Sequence, residues 1–168
     1  KLLILNAIQK YKNGLYQESS NLFKRAFKLK ENKSLEAYAL YWCARSEYEL
    51  NLYDQALDFY KQFKKHPKKS NVESIFRVNY DVGYVYFKLG EYKYSLKSFK
   101  AFNQENDYLV KSYQTDTYLR IGDSQFALKK YWPAMESYNT AIALNPESAP
   151  YATYQKAASY GFVDRNIK

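Results

Sequence analysis

The sequence predicts an all-α fold, about four stacked pairs of antiparallel helices followed by a single helix. Three observations carry that reading. Residues of fixed character recur every 37–39 positions, helical spacing runs between the recurrences, and glycine and proline are scarce, 5 and 4 of 168 residues. So little punctuation excludes a many-stranded β fold, whose turns would need it. A length of 168 residues allows one domain, two at most.

The recurrence is a register of five columns. Small residues stand at Ala7, Ala44, Gly83 and Gly122, with steps of 37, 39 and 39. Aromatics keep the same steps at Tyr11, Tyr48, Phe87 and Phe126, and again at Tyr16, Tyr53, Tyr92 and Tyr131. Ser19, Ala56, Ser95 and Ala134 form a fourth column; Phe23, Tyr60, Phe99 and Tyr138 form a fifth. Five columns across four copies mark a tandem repeat.

Each copy reads as two helices. The first pair is predicted over 2–12 and 15–30, with Gly14 in the break. The second covers 34–50 and 53–65, where Asn51 tolerates the left-handed conformation that closes a helix. The third covers 72–89 and 92–104, with Gly90 in that role. In the fourth, 111–128 and 131–144, Lys129 takes the place of Gly or Asn, so its turn is expected to be built differently. A lone helix over 149–162 follows. Ala44 and Tyr48 lie four apart, as do Ala56 and Tyr60, so each pair shares a helix face. Pro133 and Pro150 fall in first turns, Pro67 and Pro146 in connections. The small column allows close approach within a pair, and the aromatic columns fill the gaps between pairs that cannot bury an apolar face alone. Many of the 20 tyrosines are thereby structural.

Composition limits the chemistry. The net charge of +9 is concentrated at one end: residues 1–34 carry +6, whereas 71–110 and 111–148 are each neutral. Lys24, Arg25, Lys28, Lys30 and Lys33 are expected on a solvated helix face, or against a preceding repeat of a longer chain. One cysteine, Cys43, excludes an internal disulfide and a cysteine metal cluster, and is expected to be a buried small hydrophobe. The single histidine, His66, lies in Lys64-Lys-His-Pro-Lys-Lys69 and is expected in solvent. No acid, base and nucleophile constellation is visible, Gly83 and Gly90 belong to repeat columns rather than to a phosphate loop, and no cofactor or metal is expected. No run of about 18 apolar residues suggests a membrane span. A chain starting at Lys1 reads as a piece of something longer.

The run Gly83-Tyr-Val-Tyr-Phe-Lys-Leu-Gly90-Glu-Tyr92, continuing through Ser95, Phe99 and Phe102, resembles the tetratricopeptide repeat. So does the copy from Gly122 through Ala134, Tyr138 and Ala141 to Pro146. Departures are a spacing of 37–39 residues against the family's about 34, and Phe63 and Phe102 where the family has a small residue. The longer spacing and the Phe-x-x-Phe ending are similar to tetratricopeptide proteins of the bacterial cell envelope, which implies a periplasmic or envelope location. The family likeness implies a right-handed superhelical solenoid with repeats at 1–33, 34–71, 72–110 and 111–147 and a partial fifth at 148–168. It implies a noncatalytic protein–protein interaction scaffold that holds a peptide or partner helix in a concave groove lined by first helices. The matching positions are Tyr41, Arg45, Arg77, Tyr80, Tyr84, Leu119 and Asp123. The family's carboxylate clamp of Lys and Asn is absent, since its positions hold Ile4 and Ile8, Tyr41 and Arg45, then Tyr80 and Tyr84. An alternative is a nucleic-acid-binding repeat protein using the basic first repeat. Self-association through the ends of the stack is a further expectation, since neither end has the polar character of a capping repeat.

Overall fold

Helices form where the columns repeat. The computed structural model describes residues 2–30, 32–69, 73–105 and 111–166. The expected repeat junction at 71/72, residue 110 of the next junction, and positions 1 and 167–168 lie outside them. The helices are α1 (Leu2–Lys12), α2 (Tyr16–Leu29), α3 (Lys33–Glu49), α4 (Tyr53–Lys65), α5 (Val78–Lys88), α6 (Tyr92–Glu105), α7 (Lys111–Ala127), α8 (Tyr131–Leu144) and α9 (Ala149–Asn166). Short 3-10 turns occupy Glu73–Arg77 and Pro146–Ser148. The helix expected from 72 therefore begins as a 3-10 turn and becomes α-helical at Val78, and the last helix runs beyond 162. No strand occurs among the described residues.

All four breaks within pairs close the same way. Gly14, Asn51, Gly90 and Lys129 have φ of 75°, 60°, 75° and 59°. In each, that residue's N–H bonds three residues back, and the next N–H bonds five residues back. The pair is Gly14 to Tyr11 and Leu15 to Lys10 in the first turn, and Lys129 to Phe126 and Lys130 to Gln125 in the last. These are the two bonds that satisfy orphan carbonyls at a Schellman ending. The fourth turn is thus not built differently: Lys129 adopts the left-handed conformation although its Cβ disfavours it.

The chain divides into two units, Lys1–Val78 and Asn79–Lys168. In the first, Ile4, Ala7, Phe23, Ala39 and Cys43 form a buried cluster, with Leu22, Ala26, Phe27 and Trp42 against it. Asn32 caps α3 by accepting from the Ser34 and Leu35 N–H groups at 2.8 and 3.3 Å. A fully buried carboxylate, Glu47, accepts from Ser20 Oγ and meets Lys24 Nζ, each at 2.5 Å. Lys24 is therefore committed to an internal ion pair and leaves the set of solvated cations expected there. His66 departs from expectation too. Its side chain is 10% exposed, its Nε2 lies 3.6 Å from Glu36 Oε2, and its Nδ1 accepts the Lys68 N–H at 3.2 Å.

In the second unit the small column does what close approach requires. A Cβ on Gly83 would stand 2.9 Å from the Phe99 ring, and one on Gly122 2.5 Å from Tyr138. Both rings are fully buried. Gly161, 39 residues after Gly122 in α9, continues the column, but a Cβ there would meet nothing within 4 Å. No helix among the described residues is long and apolar enough to cross a membrane, and none of their His, Cys, Asp and Glu side chains gather in threes as a metal site would need.

Candidate protein-docking surface

Helical spacing assembles the site in the second unit. Tyr80 and Tyr84 lie one turn apart on α5, and their phenols both donate to Asp116 Oδ2 of α7, at 2.8 and 2.5 Å. One turn on from Asp116, Arg120 faces it with Nε 3.5 Å from Oδ1. Arg120 Nη1 also donates to Asp123 Oδ2 at 2.6 Å. Asp123 Oδ1 accepts from Tyr138 of α8 and Tyr151 of α9, at 2.9 and 2.8 Å. The guanidinium carbon lies 5.7 Å from the centre of the Tyr151 ring, within range of a cation–π attraction. Two carboxylates, one guanidinium and four phenols thus form one network.

Burial and charge hold the network in a single protonation pattern. The Tyr84 phenol is pushed far above its usual value, first by burial and then by the Asp116 charge beside it. Tyr138 is raised likewise by burial and Asp123. Burial works against the Arg120 charge, but Asp123, Tyr84 and Asp116 outweigh it and keep the guanidinium protonated. Asp123 is raised because burial outweighs Arg120 and the phenols that bond it. The tyrosines therefore act as neutral donors to Asp116 and Asp123.

The rings of Tyr80 and Tyr84 are held from the sides. They meet edge to face at 5.1 Å, and Tyr80 packs on Phe102 at 5.2 Å and Tyr113 at 5.4 Å. Both remain half-buried. Leu119, also half-buried, rests on the cluster of Ala134, Tyr138 and Ala152.

In the first unit, Arg45 is half-buried and donates from Nε and Nη2 to Tyr11 Oη at 3.3 and 3.0 Å. Tyr11 in turn donates to Glu49 Oε1 at 3.1 Å, and burial raises its phenol against the opposing pull of Arg45. Arg77 ends the 3-10 turn, half-buried. Tyr41 is different. It is 1% exposed and packs on Tyr60 and Phe63 with ring centres 6.0 and 5.5 Å away. Its expected place on a binding surface is corrected to one in the core.

The structure thus joins Tyr80, Tyr84 and Asp123 through Asp116 and Arg120, two residues that the expected set lacks. Their signal was present as an acid–base pair at i, i+4 with a second acid at i+7 on one helix face. Tyr138 belongs to the fifth column, whose spacing marks it only as packing, and Tyr151 belongs to no column.

Comparison with known proteins agrees with the fold. The family model of the tetratricopeptide repeat matches residues 38–69 and 116–148, the second and fourth copies of the register. No curated protein sequence matches the chain. Among solved structures it is similar to YrrB, described as a tetratricopeptide protein with an unusual peptide-binding site, at 17% identity and a TM-score of 0.78, over 96% of this chain and 76% of that one. MamA from Desulfovibrio magneticus RS-1 aligns at 15% identity and 0.76, over 99% and 92%. A putative kinesin light chain from Podosopora anserina aligns at 12% and 0.74, over 97% and 85%. Columns, helix pairs, family model and structural likeness converge: residues 38–69 and 116–148 match the tetratricopeptide repeat, and the chain shares the all-α repeat fold of proteins built from it.

Proposed function

We propose that the chain is a noncatalytic protein-interaction scaffold that holds a peptide or a partner helix against its first helices, without a cofactor. Tyr80, Tyr84 and Leu119 supply contacts in one unit, where Asp123, buried and bonded to Arg120, Tyr138 and Tyr151, anchors the network from within rather than at the surface expected for it; Arg45 and Arg77 supply contacts in the other. One observation carries this reading: two phenols converge on a single oxygen of Asp116. They fix a pair of half-exposed aromatic rings before any partner arrives. Tyrosine and arginine held in place concentrate binding energy at protein interfaces, and preformed side chains reduce the ordering cost of association. The peptide-binding description of YrrB supports the same reading.

The chemistry left over favours no reaction. Cys43 is buried, and burial pushes its thiol up to about 12, away from nucleophilic thiolate. Site-specific photocrosslinking tests the proposal. A benzophenone side chain at Tyr84 or Arg77 is expected to give covalent adducts with a discrete partner. The same group at exposed Lys97 of α6 should give none. Equal adducts from all three positions would remove the assigned surface.

A further inference from the structure

Acid, aromatic ring and cation recur together in this molecule. Lys24 Nζ lies 5.6 Å from the centre of the Phe59 ring and 2.5 Å from Glu47 Oε1. The Arg45 guanidinium stands 5.9 Å from the centre of the Tyr11 ring, and the Tyr11 phenol donates to Glu49. Arg120 stands over Tyr151, whose phenol donates to Asp123. In each case a ring face and a carboxylate share one cation, which both of them attract.

Asp116 and Tyr84 supply the acid and the ring, but no cation among the described residues stands over the Tyr84 ring. Both phenols fall on Asp116 Oδ2, and Oδ1 accepts no hydrogen bond from the described residues. Arg120 reaches Oδ1 only with Nε, at 3.5 Å and without a hydrogen bond. Its Nη1 is committed to Asp123 Oδ2 at 2.6 Å. Asp123 accepts from Arg120, Tyr138 and Tyr151, the pattern of an ionised carboxylate. Two carboxylates against one guanidinium leave one negative charge. It falls to Asp116, whose side chain is 30% exposed against 6% for Asp123.

We infer that Asp116 sets the specificity of the proposed docking surface: it selects a lysine or arginine side chain of the partner's peptide, with the cation on Oδ1 beside the Tyr84 ring. This rests on the proposed function of that surface. Charge chooses among occupants. A peptide carboxylate or a nucleic-acid phosphate would meet like charge at Asp116. An apolar anchor would cover Oδ1 without giving it a donor, which is costly. A basic side chain supplies the donor, balances the charge and completes the arrangement seen at Tyr11 and Tyr151. Described helices stand on both sides of Asp116, α5 through Tyr80 and Tyr84 and α9 through Tyr151 beyond Arg120. Its exposure therefore does not hang on where the sequence begins or ends.

The test is a selection of displayed random dodecapeptides on the immobilised chain. It is repeated on Asp116→Asn and on Glu91→Gln, an equal charge change at an exposed position of the same unit. The unaltered chain and Glu91→Gln are expected to enrich peptides with lysine or arginine at one aligned position. Asp116→Asn should enrich peptides without that preference. For a selected peptide, replacing the basic residue by glutamine should weaken binding to the unaltered chain about fivefold or more in fluorescence anisotropy, the upper range for a half-exposed charge pair that also meets a ring. The same replacement should change binding to Asp116→Asn little, a coupling that a merely loosened fold would not produce. Selected peptides that crosslink to a benzophenone at Tyr84 but show no basic preference, or a preference that survives Asp116→Asn, would overturn this inference and leave the docking surface standing. Selected peptides that fail to crosslink there would remove the docking surface, and this inference with it.

Discussion

Ser95 Oγ lies 3.2 Å from Ser124 Oγ, across the contact between α6 and α7. Each hydroxyl also has a carbonyl to bond, Gly83 at 2.9 Å for Ser95 and Arg120 at 2.8 Å for Ser124. The first unit repeats the arrangement with Ser19 and Ser46 at 3.2 Å, bonded to the Ala7 and Trp42 carbonyls at 2.9 Å each. Each hydroxyl can thus give its proton to a carbonyl or to its neighbour, and either can donate across the helix contact. The pair sets the spacing of the two helices as well as bonding them. At the matching register positions, later in the chain, stand Ala134 and Val163, both buried. Ser124→Val alone is expected to overpack against Ser95 and cost ~1–3 kcal/mol. Adding Ser95→Ala should return most of that loss. Urea unfolding of the two single variants and the double one checks it; additive costs would show that the positions are not coupled.

The glycine column makes a second, opposite pair of predictions. A Cβ on Gly122 would lie 2.5 Å from a fully buried Tyr138 ring, whereas one on Gly161 meets nothing within 4 Å. Gly122→Ala should destabilise by ~1–3 kcal/mol through overpacking. Gly161→Ala should stabilise by up to ~1 kcal/mol, since alanine is the better helix former. Melting temperatures of the two variants should therefore move in opposite directions.

These residues also show what a sequence of this kind discloses. A column repeated four times exposes helix pairs, turns and close approach, because each copy checks the others. Asp116, Arg120 and Tyr151 escaped because a network between helices depends on side-chain reach, which no periodicity records. Tyr41 misled for the same reason. Its register position is shared with Tyr80 and Leu119, yet Tyr41 is 1% exposed, while Tyr80, packed on the matching Phe102, stays half-buried with its phenol on Asp116. His66 in its run of lysines and Lys24 in its basic helix looked like solvated charges. The buried acids Glu36 and Glu47 that draw them inward stand 30 and 23 positions away in the chain.

Lys129 supplies a third prediction. It holds φ at 59° in a turn whose counterparts at Gly14 and Gly90 are glycine. A residue with a Cβ carries ~1–2 kcal/mol of strain in this conformation, while glycine gives back part of that through the greater freedom of its unfolded chain. Lys129→Gly should raise stability by ~0.5–1 kcal/mol, with the turn's two hydrogen bonds retained. Gly14→Ala and Gly90→Ala should lower it by a comparable amount. Unfolding midpoints measured with an unchanged denaturant slope would assign each effect to the turn itself.

Tyr84 and Asp116 carry the last prediction, which concerns pH. The folded protein holds the Tyr84 and Tyr138 phenols well above their usual value, chiefly by burial and then by the carboxylates they bond. In the unfolded chain they titrate near 10. Above that pH the unfolded state has released protons that the native state still holds, so stability must fall as pH rises. Below about 10 both states keep these protons, and the contribution is fully present. Tyr84→Phe removes one of the two phenols on Asp116 Oδ2 and should cost ~1–2 kcal/mol at pH 7, the range for a half-exposed bond to a charged acceptor. It should also flatten the alkaline loss of stability, because one raised phenol is gone. Tyr84→Phe with Tyr138→Phe should flatten it further. Urea unfolding from pH 7 to pH 11 reads both effects, and an alkaline slope unchanged in the double variant would remove these phenols as its cause.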